Sequence, residues 1–388
     1  MNDLHDSVLT KLTAHFQQRQ ESILSFIREI VELESPSGYE AGSVDVAFKL
    51  GNFASTIPAF NRVKYVVSPG YGRHLRLEAF SGHETKPLVL VGHTDTVHPR
   101  GSLQERPWRV ENGKAFGPGV FDMKANCVLA MEVIRALSDC GIGSSRPVTL
   151  LFTCDEETGS FDGRQLVEAE AQAAHAVLVL EPPAPGGRVK TGRKGTGMFS
   201  LQAQGIAAHA GLEPEKGASA VLELARQTEK LHALNNGGSG IRVNVGVFNG
   251  GTVSNVVPAE ARAEIDVRFA TAAEAAKIES EIFNLRPFDE RVQLTVKGGI
   301  NRPPLERSEK VLELYERARS IAGRLGFDLG ETQVGGASDG NFAAAAGATV
   351  LDGLGLDGDG AHAVHEHIII EDIPRRGALL AALIASFD

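Results

Sequence analysis

Three short apolar runs, at 88–91, 148–152 and 176–180, limit the folds open to this chain more than any other feature. Runs of this kind form strands buried on both faces. A helical stretch over 125–137 separates the first two. Strands alternating with helices predict an α/β domain with a mainly parallel sheet and helices on both faces. Each run also ends in polar residues: Gly92-His93-Thr94-Asp95-Thr96-Val97, Cys154-Asp155-Glu156-Glu157-Thr158-Gly159 and Glu181-Pro182-Pro183. Open α/β sheets bind ligands at the carboxyl ends of their strands. One histidine and several acids on that rim make a metal site the natural reading.

The rest of the chain divides by its grammar. Leu9, Leu12, Phe16, Ile23, Phe26, Ile27, Ile30 and Val31 recur at helical spacing, and Pro36-Ser37-Gly38 breaks the pattern. From about Gly195 the order becomes strand 198–207, helix 218–234, strands 241–248 and 259–269, helix 272–283 and strand 291–297. That is the β-α-β-β-α-β order of a ferredoxin-like unit. After Pro303-Pro304, a helix over 311–325, an apolar run at 349–351 and a helix from Pro374 return to α/β grammar. A length of 388 residues suits two domains. The expected division is a discontinuous catalytic domain, 1–194 and 304–388, interrupted by an α+β domain over 195–303.

Composition removes several classes of function. A formal charge of −10 is not suited to coating nucleic acid or an anionic membrane. No apolar run is long enough to span a bilayer, and the start, Met1-Asn2-Asp3-Leu4-His5-Asp6, reads as no signal peptide. Cys127, Cys140 and Cys154 form no C-x-x-C pair, and their odd count argues against a disulfide framework. Reduced, buried thiols and a cytoplasmic location are expected.

Charge counting supports a pair of metals. Zinc takes histidine nitrogen and carboxylate oxygen, and paired ions sit about 3.5–4 Å apart in co-catalytic sites, where they need a bridging anion between them. Asp122, just before the helix over 125–137, can bridge. His93 and Glu181 would hold one ion, and Glu157 with a later histidine the other. Glu156 is then free to act as a general base, and Asp95 to orient the His93 imidazole from behind. His362, His365 and His367 all compete for the last ligand position, and spacing does not choose between them.

The motif at 93–97, the segments 117–124 and 155–159 and the pair Glu181-Pro182 resemble, in order and spacing, the aminoacylase and carboxypeptidase G family of di-zinc hydrolases, which includes acetylornithine deacetylase and succinyl-diaminopimelate desuccinylase. Ile373-Pro374-Arg375-Arg376 and the Gly335–Asp339 loop are similar to the glutamate carboxypeptidase branch. The resemblance implies two Zn2+ per subunit, with Co2+ or Mn2+ as substitutes, and selects His362 as the ligand. It implies that the inserted domain is a lid through which a homodimer forms. It also implies substrate-facing roles for His209, Asn255, Arg268 and Arg302, with His209 serving catalysis. Ala125 and Asn126 depart from the glycine usual in the family.

The expected reaction is hydrolysis of the amide bond to a C-terminal or N-acylated amino acid, with Glu156 as the base for a metal-activated water and a small peptide or N-acyl amino acid as substrate. An N-acyl amino acid deacylase or a dipeptidase uses the same metal chemistry. Two other classes stand beside these. Gly336-Ala337-Ser338-Asp339-Gly340 matches the G-x-S-x-G elbow of a serine hydrolase, with Ser338 as nucleophile; a non-catalytic metal-binding protein would keep the ligands alone.

Overall fold

The computed structural model describes residues 4–236 and 240–388. The apolar stripe that opens the chain is the buried face of a long helix, α1 (Asp6–Val31). It is followed by α2 (Glu40–Ala54), a hairpin of β1 (Phe60–Ser68) and β2 (Gly72–Ala79), then β3 (Leu88–His93), α3 (Ala125–Asp139), β4 (Val148–Thr153), α4 (Gly163–Ala173) and β5 (Ala176–Val179). Every residue of β3, β4 and β5 is buried, which is why these strands read as unbroken apolar runs rather than as alternation. The chain continues through β6 (Gly195–Gln204), α5 (Ala220–Ala233), β7 (Arg242–Gly250), β8 (Glu260–Phe269), α6 (Ala272–Phe283) and β9 (Gln293–Arg302). It ends with α7 (Glu309–Arg324), α8 (Asp339–Ala345), β10 (Val350–Leu351) and α9 (Asp372–Ala385).

Two compact units result. One comprises the chain up to Gly192 with Arg307–Val334 and Ser338–Asp388; the other comprises Arg193–Glu306 with Gly335–Ala337. In the first, six strands pair in the order β1-β2-β4-β3-β5-β10. The β4/β3, β3/β5 and β5/β10 pairs are parallel, and the hairpin adds antiparallel edge strands through β2/β4. The parallel core brings the carboxyl ends of β3, β4 and β5 to one rim. A second, four-stranded sheet pairs Gly358–Asp359, His367–Ile369, Lys114–Phe116 and Arg109–Glu111 in that order. It fixes the turn between Asp359 and His367 near the start of the chain's catalytic segments. Among the described residues no helix is long and apolar enough to cross a membrane.

In the second unit the sheet order is β7-β8-β6-β9, antiparallel throughout, as the ferredoxin-like reading requires. Its boundaries differ from the sequence expectation for physical reasons. The strand expected over 198–207 is Gly195–Gln204, because the chain leaves the sheet at Gly205, where a Cβ would overlap the Ala218 carbonyl. The strand expected over 291–297 runs on to Arg302. Gly298, at φ 115°, lets that strand continue against Met198 and Phe199, where a side chain would collide with the neighbouring backbone.

Helices α1 and α9 pack so closely that Gly377 leaves no room for a side chain: a Cβ there would overlap the fully buried Phe16 ring. Two effects of Gly377→Ala oppose each other. Alanine gains about 1 kcal/mol of helix propensity, and overpacking a filled core costs about 1–3 kcal/mol. Phe16 has no solvent-exposed space to move into, so the overlap wins. Gly377→Ala should lower the thermal midpoint, and a midpoint equal to or above that of the parent would show that the α1/α9 contact can relax.

Candidate metal centre

His93 is the last residue of β3, Glu156 and Glu157 follow β4 on a single turn, and Glu181 lies two residues beyond β5. Asp122 lies on the irregular turn that opens α3. The fold therefore delivers residues far apart in sequence to one place. Nε2 of His93 lies 3.1 Å from Oδ1 of Asp122 and 3.6 Å from Oε1 of Glu181. Nε2 of His362 lies 3.4 Å from Oδ2 of Asp122 and 3.0 Å from Oε2 of Glu157. Asp122 thus turns one oxygen toward each histidine, with Glu181 on one side and Glu157 on the other.

Of the three competing histidines, the structure directs His362 at this cluster. His365 is exposed, 4.0 Å from Asp359, and His367 is committed to a strand, paired with Phe116. His362 reaches its place with a left-handed backbone, φ 64°, which costs a non-glycine residue on the order of 1 kcal/mol.

The electrostatics follow from the crowding. Burial works against charge on His93, yet the Asp122 and Asp95 carboxylates hold its imidazolium well above the ordinary histidine range. Hydrogen bonds to Asp122 and Glu157 raise His362 to about 10. Burial opposes ionisation of Asp122 also, but His362 and His93 keep it far below the carboxylate range. Glu157 goes the other way, raised chiefly by burial.

Asp95 sets the orientation of the surrounding groups. Its backbone carbonyl lies 3.0 Å and its carboxylate 3.4 Å from Nδ1 of His93, leaving Nε2 to face the cluster. The two carboxylate oxygens also accept from the backbone N–H groups of Glu156 (3.2 Å) and Glu157 (3.1 Å) and from the Ser37 hydroxyl (2.6 Å). One residue therefore positions the histidine and, through its carboxylate, the turn carrying both glutamates.

Sequence reasoning missed further supports. Asn126, noted only as a departure from glycine, is fully buried; it donates to the Phe121 carbonyl (3.1 Å) and accepts from the Leu356 N–H (2.9 Å). His74 on β2 accepts from the Cys154 N–H (3.2 Å) and pairs with Asp162 (3.0 Å), holding the base of the Glu156 turn. Ser338, the alternative nucleophile, is fully buried, caps α8 and donates to Asp352 (2.8 Å).

The remaining candidates lie in the second unit. His209 is exposed, on a two-residue strand opposite Val256. Its Nδ1 accepts from the Gly211 and Leu212 N–H groups, both at 3.1 Å, which places the ring proton on Nε2. Asn255 adjoins it, its carbonyl accepting from the Ala210 N–H at 3.0 Å. Arg268 forms a two-point ion pair with Asp266. Arg302 is buried, and both arginines sit in register with Thr196, one from each neighbouring strand.

The model of peptidase family M20/M25/M40 matches residues 89–386. Carboxypeptidase G2 of Pseudomonas sp. (strain RS-16) is 31% identical over 376 residues, covering 94% of this chain and 89% of that protein. The chain belongs to peptidase family M20/M25/M40. Succinyl-diaminopimelate desuccinylase of Stenotrophomonas maltophilia (strain K279a) is 29% identical over 80% of this chain and 88% of its own length. Among solved structures, aminopeptidase PepT from Bacillus cereus ATCC 10987 shares the fold, with a TM-score of 0.77 at 22% identity, covering 94% of this chain and 98% of that one. As an M20 peptidase the protein is a metal-dependent amidohydrolase of the carboxypeptidase-like kind.

The residues present fit a metal. His93, Asp122 and Glu157 each offer a ligand atom, all within 4.8 Å of one another, the one such group among the described residues. Oε1 of Glu157 is buried with no hydrogen-bond partner, as expected of an oxygen reserved for a cation. Imidazole nitrogen and carboxylate oxygen suit zinc and its neighbours.

A pH dependence follows. His362 rises from 6.5 to about 10 in the folded, chelated protein. Its stabilising contribution is therefore fully present below about 6.5 and is lost as pH rises through about 10. His93 shifts in the same direction. A metal must displace these protons. Apparent metal affinity should rise with pH across the neutral range, with protons released on binding when titrated calorimetrically in buffers of different ionisation enthalpy. Binding that is independent of pH and releases no protons would contradict the protonated pair.

Proposed function

We propose that this M20 peptidase is a two-zinc, glutamate carboxypeptidase-like hydrolase that cuts the amide bond to an amino acid bearing a free carboxylate, with Co2+ or Mn2+ able to replace zinc. The observation that carries this reading is Asp122, with one oxygen toward His93 and Glu181 and the other toward His362 and Glu157. That arrangement offers two adjacent ligand sets sharing one carboxylate. Bound there, a pair of divalent cations would polarise the scissile carbonyl and acidify a water.

Glu156 is the base. It is held by Asp95 on the same turn as the ligand Glu157 but is not itself required as a ligand. It takes a proton from the attacking water and returns it to the leaving amine. We assign His209 the role of donor to the tetrahedral oxyanion; the proton on Nε2 supports it. Arg302 or Arg268 would grip the substrate carboxylate through the two-point geometry of a guanidinium, and Asn255 would line the same substrate. A desuccinylase or dipeptidase activity is the alternative within the same chemistry. Buried, free thiols agree with a cytoplasmic location: burial pushes Cys127 and Cys154 up to about 12. The serine-hydrolase alternative is disfavoured by Ser338 acting as a buried helix cap.

Glu156→Gln should retain metal and lower kcat by a factor on the order of 10²–10⁴. Near-native turnover would remove Glu156 as the base, and loss of metal would make it a ligand. In the same assay, N-acyl glutamate should be cleaved and its α-amide scarcely at all, because the amide cannot accept the two-point charge-assisted bonds of a guanidinium. Equal rates on the two would sink the carboxypeptidase reading.

We also propose a homodimer through the second unit, which presents β7 as an unpaired sheet edge carrying exposed Val247 and Phe248. We assign His209 to the partner's site, a role the family resemblance supports. Refolding His209→Ala together with Glu156→Gln should then give mixed dimers with one intact site, restoring roughly a quarter of wild-type activity by random pairing. Verified mixed dimers with no recovery would place His209 in its own subunit's chemistry or outside it.

A further inference from the structure

Glu366 is only 2% exposed, yet its carboxylate collects four hydrogen bonds. Oε1 accepts from the backbone N–H groups of Phe121 and Asp122, both at 2.9 Å, and Oε2 from Gly119 N–H (2.8 Å) and from Nε2 of His98 (2.6 Å). Three N–H groups of one turn converging on a point form an anion nest, and the fold fills this nest from its own C-terminal segment. His98 is itself oriented. The Arg106 guanidinium, which only donates, lies 3.4 Å from Nδ1, so that nitrogen accepts and Nε2–H donates to Glu366.

The same residue closes the turn that carries His362. Ala363 N–H bonds to the Gly360 carbonyl (2.8 Å), and Glu366 N–H to the Ala363 carbonyl (3.3 Å). A single side chain therefore ties the turn presenting Asp122 to the turn presenting His362. His93 is held separately, by Asp95 from its own strand exit.

We propose that Glu366, steadied by His98, is a positioning residue for the metal ligands: it holds the turn of Asp122, which both positions share, and the turn of His362, which only one uses, so its loss weakens the position formed by Asp122, Glu157 and His362 more than the position at His93 and Glu181. This rests on the two-metal reading above. Groups that orient ligands from behind are worth roughly 10–100-fold in metal affinity. Glutamine at 366 keeps the shape, but its amide nitrogen would face N–H groups that also donate, so at least one of the four bonds becomes a repulsion.

The test is a zinc titration of chelated protein against a chromophoric chelator, on wild type and Glu366→Gln side by side. Wild type should take up two equivalents. Glu366→Gln should bind one equivalent about 10–100-fold more weakly and the other with a clearly smaller loss, with kcat recovering at saturating zinc. Loaded with Co2+, the variant's second equivalent should give an altered visible absorption band. Fewer than two equivalents in wild type would overturn the two-metal reading and this proposal with it. Two equivalents at wild-type affinity in Glu366→Gln, or equal weakening of both, would overturn this proposal alone. Should Glu366→Gln fail to fold, His98→Phe removes one donor and leaves the three backbone bonds. It should weaken the same equivalent by a smaller factor, and unchanged affinity for both equivalents in that variant would equally overturn the proposal.

Discussion

Asp122 stands between two imidazoles, and the rest of the catalytic unit is arranged to make that position tenable. Glu156, Glu157, Glu181 and Asp95 gather beside it at the rim of the parallel strands, where the low dielectric makes like charges expensive to hold together. Asp95 and Glu366, which are not ligands in this reading, are spent largely on N–H groups. Asp95 accepts from the turn of Glu156 and Glu157, and Glu366 from the turn of Asp122. Oε1 of Glu157 is buried with no hydrogen-bond partner. A parallel sheet is what permits this. Its strands run in register, so His93, the Glu156 turn and Glu181 emerge together without any long loop having to be ordered.

Legibility in the sequence followed the length scale of the forces involved. β3, β4 and β5 were readable because burial on both faces demands an unbroken apolar run. The elements of the second unit were readable because each has one wet face. The helix α2 was missed because it packs through small residues, Gly42, Ala47, Gly51 and Ala54, that carry little periodic signal. The β1/β2 hairpin was missed because charged residues interrupt it: Arg76 on β2 is half-buried and paired with Glu170 of α4. The positions of candidate ligands could be read from the strand exits. The choice among His362, His365 and His367 could not, because it is made by the pairing of His367 with Phe116, some 250 residues earlier in the chain. His74 and Glu366 belong to the same class of long-range support. A solitary histidine or glutamate in a sequence reads as surface, and only the partner's backbone N–H shows otherwise.

Asn126 shows how a departure from a family pattern can be absorbed. Glycine at that position would leave the Phe121 carbonyl and the Leu356 N–H to find other partners in a fully buried environment, where an unmade hydrogen bond costs about 1–3 kcal/mol. The asparagine supplies both a donor and an acceptor, one to each, and so spans from the turn of Asp122 to the segment following β10. The space it needs is provided opposite, at Gly355, where any side chain would overlap the amide. A side chain at 355 would meet the Leu180 backbone carbonyl as well as the Asn126 amide, so the position is closed from two sides.

The carboxylates gathered at this site raise His93 and His362 far above the ordinary histidine range. Each imidazole carries its proton well beyond the pH at which free histidine loses it, because the carboxylates around it gain more from the cation than burial takes away. Asp122 remains ionised between them for the same reason. The two protons supply positive charge on either side of the Asp122 carboxylate. Metal binding at this site is an exchange of one kind of cation for another within a framework already set by Asp95, Glu366 and the strand exits. This differs from small metal-dependent domains whose ligands converge only when the ion arrives. Here the ligands stand at the exits of a buried parallel sheet and on turns held by Asp95 and Glu366, so the fold itself favours their convergence.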